Sequence, residues 1–266
     1  MKAIGLIYDP PSAKIIEEAT GLVLSACRKA FGDNLVCITL KGSAVKGDFI
    51  QYYSDFDFHI FLKPQVMDDA TVPKAEYAME FQRAFGSVNP QDFCASQFQI
   101  YFINSEAYPG DWLPPVEGTY RVLYGSVPVS AREAEEQGYL RLSLDYLASV
   151  EESRKTIVGR FVDKPNSAIP NLVRLLGTTL KGYMYSVSAL TLPNPKQGLK
   201  LGLDEMIEIV EKEVKSGGHI GGFFQLISDW RMIQSDIESA RQAFKEGNEA
   251  MKEINHWYEN RKGEQA

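Results

Sequence analysis

The sequence predicts a two-part chain in which an α+β, α/β-like half is followed by an all-helical half. Up to Pro128, apolar runs of strand length alternate with segments of helical periodicity. Beyond Pro128 only helical periodicity remains, and this order is typical of a mixed α+β domain joined to a helical domain. We therefore divide the chain into a first domain over 1–129 and a helical domain over 130–266.

The first domain is predicted to begin with a helix over 12–31, which Ser12 can cap and Gly32 can end. The segment DFDFHIFL over 55–62 alternates, so Asp55, Asp57 and His59 share one strand face, and Phe56, Phe58 and Ile60 share the other. The remaining predicted elements are strands over 35–41, 97–103 and 119–124, a helix over 73–85, and a loop or short helical turn over 42–53.

The second domain is predicted to open with a capping box, because the segment 130–133 reads Ser-Ala-Arg-Glu. Pro165 and the Pro-Asn-Pro turn at 193–195 separate its helices. Helices are predicted over 131–160, 168–190, 203–216 and 222–260, the last with a break at Gly247.

Composition and charge exclude several classes of protein. The 28 basic and 35 acidic residues give a formal net charge of −7, and an acidic chain repels duplex nucleic acid. Cys27, Cys37 and Cys94 are too few and too widely spaced for a disulfide framework or a zinc knuckle, which favours a reducing cytoplasm. Neither a signal peptide nor an apolar run of about 18 residues is visible, so no membrane span is expected.

One motif carries most of the functional information. Gly42-Ser43 ends a predicted strand, eleven residues follow, and the next strand opens with Asp55-x-Asp57. Period-two geometry places the two carboxylates on one face with Cα atoms roughly 6.5–7 Å apart. Such a pair can share a hard divalent cation.

The Gly-Ser end of this motif suits a phosphate. Glycine lets the backbone approach closely, while Ser43 offers a hydroxyl and an N–H group at the start of a short helical segment. Lys46 lies inside the same loop, where it can contact the outer phosphates or remain solvated. A phosphate site facing a dicarboxylate metal site is what nucleotidyl transfer requires.

The spacing Gly42-Ser43, eleven residues, Asp55-x-Asp57 resembles the motif of the polymerase-beta-type nucleotidyltransferase superfamily, as does Ser54 before the first aspartate. The two-part layout resembles the aminoglycoside and lincosamide nucleotidyltransferases. This resemblance implies a small mixed sheet flanked by helices and transfer of a nucleoside monophosphate, with Mg²⁺ and a nucleoside triphosphate such as ATP. It assigns Asp55 and Asp57 as catalytic metal ligands and Gly42 and Ser43 as triphosphate ligands.

The chain departs from this family at the third carboxylate. Many members carry a further acid on the strand that corresponds to 97–103, but the candidate positions here are Gln97, Gln99 and Tyr101. In drug-modifying relatives the base can come from the helical domain. The resemblance therefore points to Glu151 or Glu152 as candidate bases.

Other polar residues have a functional and a structural interpretation. His59 is either a group that orients the site or a half-buried histidine satisfied by a neighbour, and we favour the latter. Arg174 and Lys181 share one face of a predicted helix, which either closes over a triphosphate or is simply solvated. Its opposite stripe is expected in the core. His219 lies in a glycine-rich segment that is expected to be a flexible connector.

These observations predict an enzyme that transfers a nucleotide to a hydroxyl of a small molecule bound between the domains. An antibiotic is one candidate, and an acidic chain suits a cationic acceptor such as an aminoglycoside. The alternative is an antitoxin-like protein of the same fold that modifies or blocks a protein partner. A polymerase is disfavoured by the net charge and by the absence of a basic cluster. The sequence leaves the oligomeric state open.

Overall fold

A computed structural model of the chain describes residues 6, 8–109, 112–128 and 135–265. The chain divides into two compact units, Tyr8–Ala134 and Glu135–Ala266, with Met1–Ile7 assigned to the second. The predicted capping box at 130–133 lies outside the described residues, as does the boundary predicted at 129/130. Among the described residues, no helix combines the length and apolar character needed to cross a membrane.

The first unit contains a four-stranded mixed sheet in the order β3-β2-β1-β4. Strand β1 pairs antiparallel with β2 and β4, and β2 pairs parallel with β3. Each strand lies within one residue of its predicted limits, so the four predicted strands are confirmed. The bounds are β1 Leu35–Lys41, β2 Phe56–Leu62, β3 Phe98–Asn104 and β4 Tyr120–Gly125.

Two long helices contribute to the main core, which covers one face of this sheet. Helices α1 (Ala13–Phe31) and α3 (Ala75–Phe85) pack against each other, with the short α2 (Ser43–Lys46) between them in sequence. Phe31 contacts the rings of Tyr77 and Phe81 from α3 and of Phe102 from β3. The strand residues in this core include Ile38, Leu40, Phe56, Phe58, Ile60 and Leu62. The opposite face has a smaller apolar cluster around Cys37, Phe61 and Ile103, which leaves room for polar residues.

The predicted ends of α1 are confirmed. The Ser12 hydroxyl accepts a hydrogen bond from the Ile15 N–H at 3.3 Å. At the other end Gly32 adopts a φ of +51° and donates its N–H to the Arg28 carbonyl. A positive φ of this kind favours glycine, which explains why the helix ends there.

The second unit is helical over the residues that the structure describes. Helix α6 carries the central buried stripe, and the expected residues Leu172, Leu176, Leu180, Tyr183 and Val187 are all in the core. The described helices are α4 Glu136–Ala148, α5 Val150–Asp163, α6 Ile169–Thr191, α7 Gln197–Lys200, α8 Leu203–Val214, α9 His219–Ser228, α10 Trp230–Ser235 and α11 Ile237–Gln265.

Two predicted helices have different limits in the structure. The predicted helix over 131–160 is divided at Ser149, where α4 ends and α5 begins. The predicted break at Gly247 is wrong, because α11 continues through it. The breaks fall instead at Asp229 and Asp236, whose carboxylates accept hydrogen bonds from the N–H groups of the helices that follow.

Gly247 has a packing role instead. A Cβ at this position would lie 2.7 Å from Leu176 Cδ2 and 2.9 Å from Phe223 Cδ2. Glycine therefore allows α11 to approach α6 and α9 closely. The sequence could not show this, since a glycine that ends a helix and a glycine that permits close packing look alike.

Candidate functional site

The turn after β1 brings Gly42 against Asp57. Register pairs Lys41 on β1 with Asp57 on β2, so the next residue, Gly42, lies beside the Asp57 side chain. Gly42 has φ +75° and ψ −151°, and a Cβ added there would lie 2.4 Å from Asp57 Oδ2. Only glycine fits both the backbone conformation and the contact. The two halves of the sequence motif therefore meet at this point.

Ser43 and Lys46 belong to a single helical turn. The Gly42 carbonyl accepts hydrogen bonds from the N–H groups of Val45 and Lys46 at 3.0 and 3.1 Å. Gly47 then ends the turn in the left-handed conformation, donating its N–H to the Ser43 carbonyl at 3.0 Å. These bonds fix the loop, so Ser43 follows the Gly42–Asp57 contact directly in a defined geometry.

Asp55 lies directly before β2, where the neighbouring segment holds it. The Gln97 side-chain amide donates to Asp55 Oδ2 at 3.1 Å, and the Phe56 N–H donates to the Gln97 carbonyl at 3.1 Å. Phe56 is fully buried, whereas Asp55 and Asp57 on either side of it are half-buried. The predicted alternation is thus present, with both carboxylates on the face opposite the main core.

The strand positions that could carry a third acidic side chain beside the aspartates are Gln97, Gln99 and Tyr101, which are polar and uncharged. Gln99 pairs with Asp57, and Tyr101 pairs with His59. The Gln99 amide donates to the Tyr101 hydroxyl. Burial raises the pKa of Tyr101, as do the negative charges of Asp57 and Asp55. Both carboxylates therefore act electrostatically on the Tyr101 hydroxyl.

Lys41 lies on the same face of the sheet as the two aspartates, a role that no sequence pattern indicated. Its ammonium lies 5.3 Å from the centre of the Tyr101 ring. Burial lowers the pKa of Lys41, while the charge of Asp57 opposes this shift. In the sequence, Lys41 is marked only by its position directly before Gly42. Its significance depends on the cross-strand register with Asp57, which a sequence does not display.

His59 is more deeply buried than expected. It packs against the rings of Tyr101 and Trp112, with centroids 5.6 and 6.1 Å away. Burial lowers the pKa of His59 well below its ordinary value, with a further contribution from the charge of Lys41. A neighbouring hydrogen-bond partner was expected for the ring. Instead, His59 Nδ1 is buried and has no hydrogen-bond partner in the described part of the chain.

The aspartates suit a hard dication such as Mg²⁺. Magnesium is usually bound through one or two carboxylates, with substrate phosphates and water completing the shell. Two half-exposed carboxylates beside a backbone that admits close approach fit this description. In the described residues there is no cluster of three or more acidic, histidine or cysteine side chains arranged for a metal.

Other residues singled out from the sequence lie in the second unit. Lys181 is on α6, so its expected contact with a nucleotide stays a prediction. Glu151 is held by Arg154 through two hydrogen bonds of 2.8 Å, which lower its pKa and make it a weaker base. Glu152 is exposed on α5. His219 is not in a connector, because it begins α9 and contacts Glu246 at 2.7 Å.

Comparison with known proteins identifies no family. No protein-family model matches the chain, and no curated protein matches it.

Proposed function

We propose that the protein is a magnesium-dependent nucleotidyltransferase that uses a nucleoside triphosphate, with ATP as the first candidate, and a hydroxyl acceptor on a small molecule. The observation that carries this proposal is the contact between Gly42 and the Asp57 carboxylate, with Asp55 on the same side of the sheet. This contact joins a backbone suited to phosphate with a carboxylate suited to a dication.

The proposed reaction is an in-line displacement at the α-phosphorus. The acceptor oxygen forms a bond to this phosphorus, the bond to the bridging oxygen breaks, and pyrophosphate leaves with that electron pair. The acceptor hydroxyl loses its proton to a base. When bound, Mg²⁺ would neutralise charge on the phosphate oxygens.

In the proposed reaction, each residue of the site would have a separate role. Asp55 and Asp57 would hold the cation, and Gln97 would keep the Asp55 carboxylate in place through its 3.1 Å hydrogen bond. Gly42 would allow the triphosphate to approach the backbone, and Ser43 would donate to a phosphate oxygen. Lys46, in the same loop as Ser43, is the cation that we propose for the outer phosphates.

Binding of ATP with magnesium tests this proposal. We expect Mg²⁺ and ATP together to raise the melting temperature, because a ligand at about 100 times its Kd stabilises the folded state by about 2.7 kcal/mol. Asp55→Asn and Asp57→Asn should each remove most of the shift. Asp33→Asn, at an exposed position in the same unit, is the matched control and should retain it.

Two results would contradict this function. One is the absence of any shift with ATP or other nucleoside triphosphates in the presence of Mg²⁺. The other is an equal shift in the wild type and both aspartate variants. Tight capture of a protein partner without nucleotide binding would favour the antitoxin-like alternative instead.

A further inference from the structure

A cavity of about 320 Å³ opens on the polar face of the sheet, beside the proposed nucleotide site. Two of its lining residues connect it to the aspartates: Lys41 pairs with Asp57 across β1 and β2, and Tyr101 lies two residues beyond the Gln99 partner of Asp57. The volume is in the range of small-molecule sites. The lining includes Lys41, His59, Tyr101, Ile103 and Trp112.

The strand register gives the cavity a polar end and an apolar end. The row of Lys41, Asp57 and Gln99 lies nearest the motif. Two rows further along the strands, Phe61 pairs with Ile103 and contacts Trp112, whose ring centre is 6.3 Å away. A ligand here would therefore place its apolar part against Trp112 and its polar group at Lys41.

The aromatic wall at the apolar end of the cavity is held in place by contacts between its own rings. The rings of Tyr108 and Trp112 are stacked, with centroids 4.8 Å apart and planes 16° from parallel. The indole also meets the His59 ring at 6.1 Å. A flat wall of this kind favours a ring as the apolar part of the ligand, since aromatic pairs contribute beyond their buried area.

The polar end sets the kind of group that the ligand can present. An ammonium has three hydrogen-bond donors and no acceptor, so the ligand atom beside Lys41 must accept a hydrogen bond. A hydroxyl or a carboxylate meets this condition, whereas an ammonium on the ligand does not. The Lys41 ammonium already contacts the Tyr101 ring, so this ring is less available to bind a cationic group of the ligand. No carboxylate is among the described lining residues, and the charge of Asp57, which pairs with Lys41 across the strands, is opposed by the Lys41 ammonium.

We propose that this cavity is the acceptor subsite, and that it takes a single-ring molecule whose hydroxyl oxygen accepts a hydrogen bond from Lys41 while its ring packs on Trp112. The assignment as an acceptor subsite rests on the proposed nucleotidyltransferase function. It narrows the acceptor class, because a polycation such as an aminoglycoside does not fit this polar end.

Three matched probes test the subsite in the full-length chain without nucleotide. Benzyl alcohol, benzoate and benzylamine share one ring and differ in the head group. Saturation-transfer NMR titrations should show binding of the alcohol and of benzoate, with benzylamine at least tenfold weaker. Lys41→Met should weaken benzoate binding at least tenfold, which corresponds to about 1.4 kcal/mol. Lys29→Met, at an exposed position on α1, should change nothing.

A second variant tests the cavity independently, in case Lys41→Met does not fold. Trp112→Phe keeps an aromatic ring and should weaken the alcohol and benzoate together, while a cooperative melting curve confirms that each variant is folded. Binding of benzylamine as tightly as benzoate would overturn the proposed ligand class. Unchanged affinities in both variants would overturn the site.

The MgATP melting shift, measured on the same preparation, separates this proposal from the proposed function. If MgATP raises the melting temperature but no probe binds, the acceptor subsite is wrong and the nucleotidyltransferase proposal stands. If the probes bind but no nucleoside triphosphate does, the assignment of the cavity as an acceptor subsite is overturned.

Discussion

Gly42 and Asp57 are in contact, and this contact leaves no room for a side chain at residue 42. A Cβ there would lie 2.4 Å from Asp57 Oδ2. The two residues are fifteen positions apart in the chain, yet the antiparallel register of β1 and β2 places them side by side. A carboxylate held this close to a glycine backbone is the basis of the proposed cation and triphosphate site.

Replacing Gly42 should damage nucleotide binding more than folding. Gly42→Ala forces the Asp57 carboxylate to move and adds backbone strain of about 1–3 kcal/mol. We expect at least tenfold weaker binding of MgATP by isothermal titration calorimetry. Gly47→Ala is the matched control, because Gly47 also has a positive φ, +83°, but a Cβ there would meet nothing within 4 Å. Equal losses of affinity in the two variants would show that strain alone explains the effect.

Gly247 should be intolerant of a methyl group for a different reason. Gly247→Ala would press a Cβ against Leu176 and Phe223, and overpacking of this kind costs about 1–3 kcal/mol of unfolding free energy. Gly159→Ala on α5 is the control, since its Cβ would enter open space and should add up to about 1 kcal/mol through helix propensity. Urea denaturation measures both changes. A gain in stability for Gly247→Ala would contradict the close packing of α11.

His219 should make stability dependent on pH. Its Nδ1 lies 2.7 Å from Glu246 and its Nε2 lies 3.8 Å from Glu253, both on α11. The hydrogen bond to Glu246 and the neighbouring carboxylates raise the pKa of His219 above its ordinary 6.5. Its stabilisation is therefore complete below about pH 6.5 and is lost as the pH rises through the higher folded-state pKa.

The His219→Gln variant measures this contribution. Because the ring is partly exposed, we expect a loss of less than about 1 kcal/mol near pH 6, and a smaller loss near pH 9. His256→Gln, at an exposed position on α11, is the control. A loss that is the same at both pH values would mean that the charge of His219 is not involved.

Two of the three cysteines should be inert in the folded protein. Burial raises the pKa of both Cys27 and Cys37 to about 12, so very little thiolate forms at pH 8. Titration with a thiol reagent should label at most Cys94 in the native protein and all three residues in guanidinium chloride. Rapid native labelling of Cys27 or Cys37 would contradict the packing of α1 or of the sheet.

The regular elements were predictable because each depends on a local pattern. The alternation in DFDFHIFL placed Asp55 and Asp57 on one face, and Ser12 and Gly32 marked the ends of α1. Gly247 was misread because its role is set by Leu176 and Phe223, which are distant in the chain.

The candidate site was predictable only in part, for the same reason. The motif residues follow one another closely in the sequence. Lys41 and Tyr101 join the site only through pairing across three strands, and Trp112 joins it from a loop. No local periodicity marks such residues.

A crystal structure with Mg²⁺ and a non-hydrolysable ATP analogue tests the central claim most directly. We predict one Mg²⁺ at about 2.1 Å from an oxygen of Asp55 and of Asp57, with the triphosphate against Gly42 and Ser43. A triphosphate bound elsewhere, or a cation that contacts neither aspartate, would contradict the account.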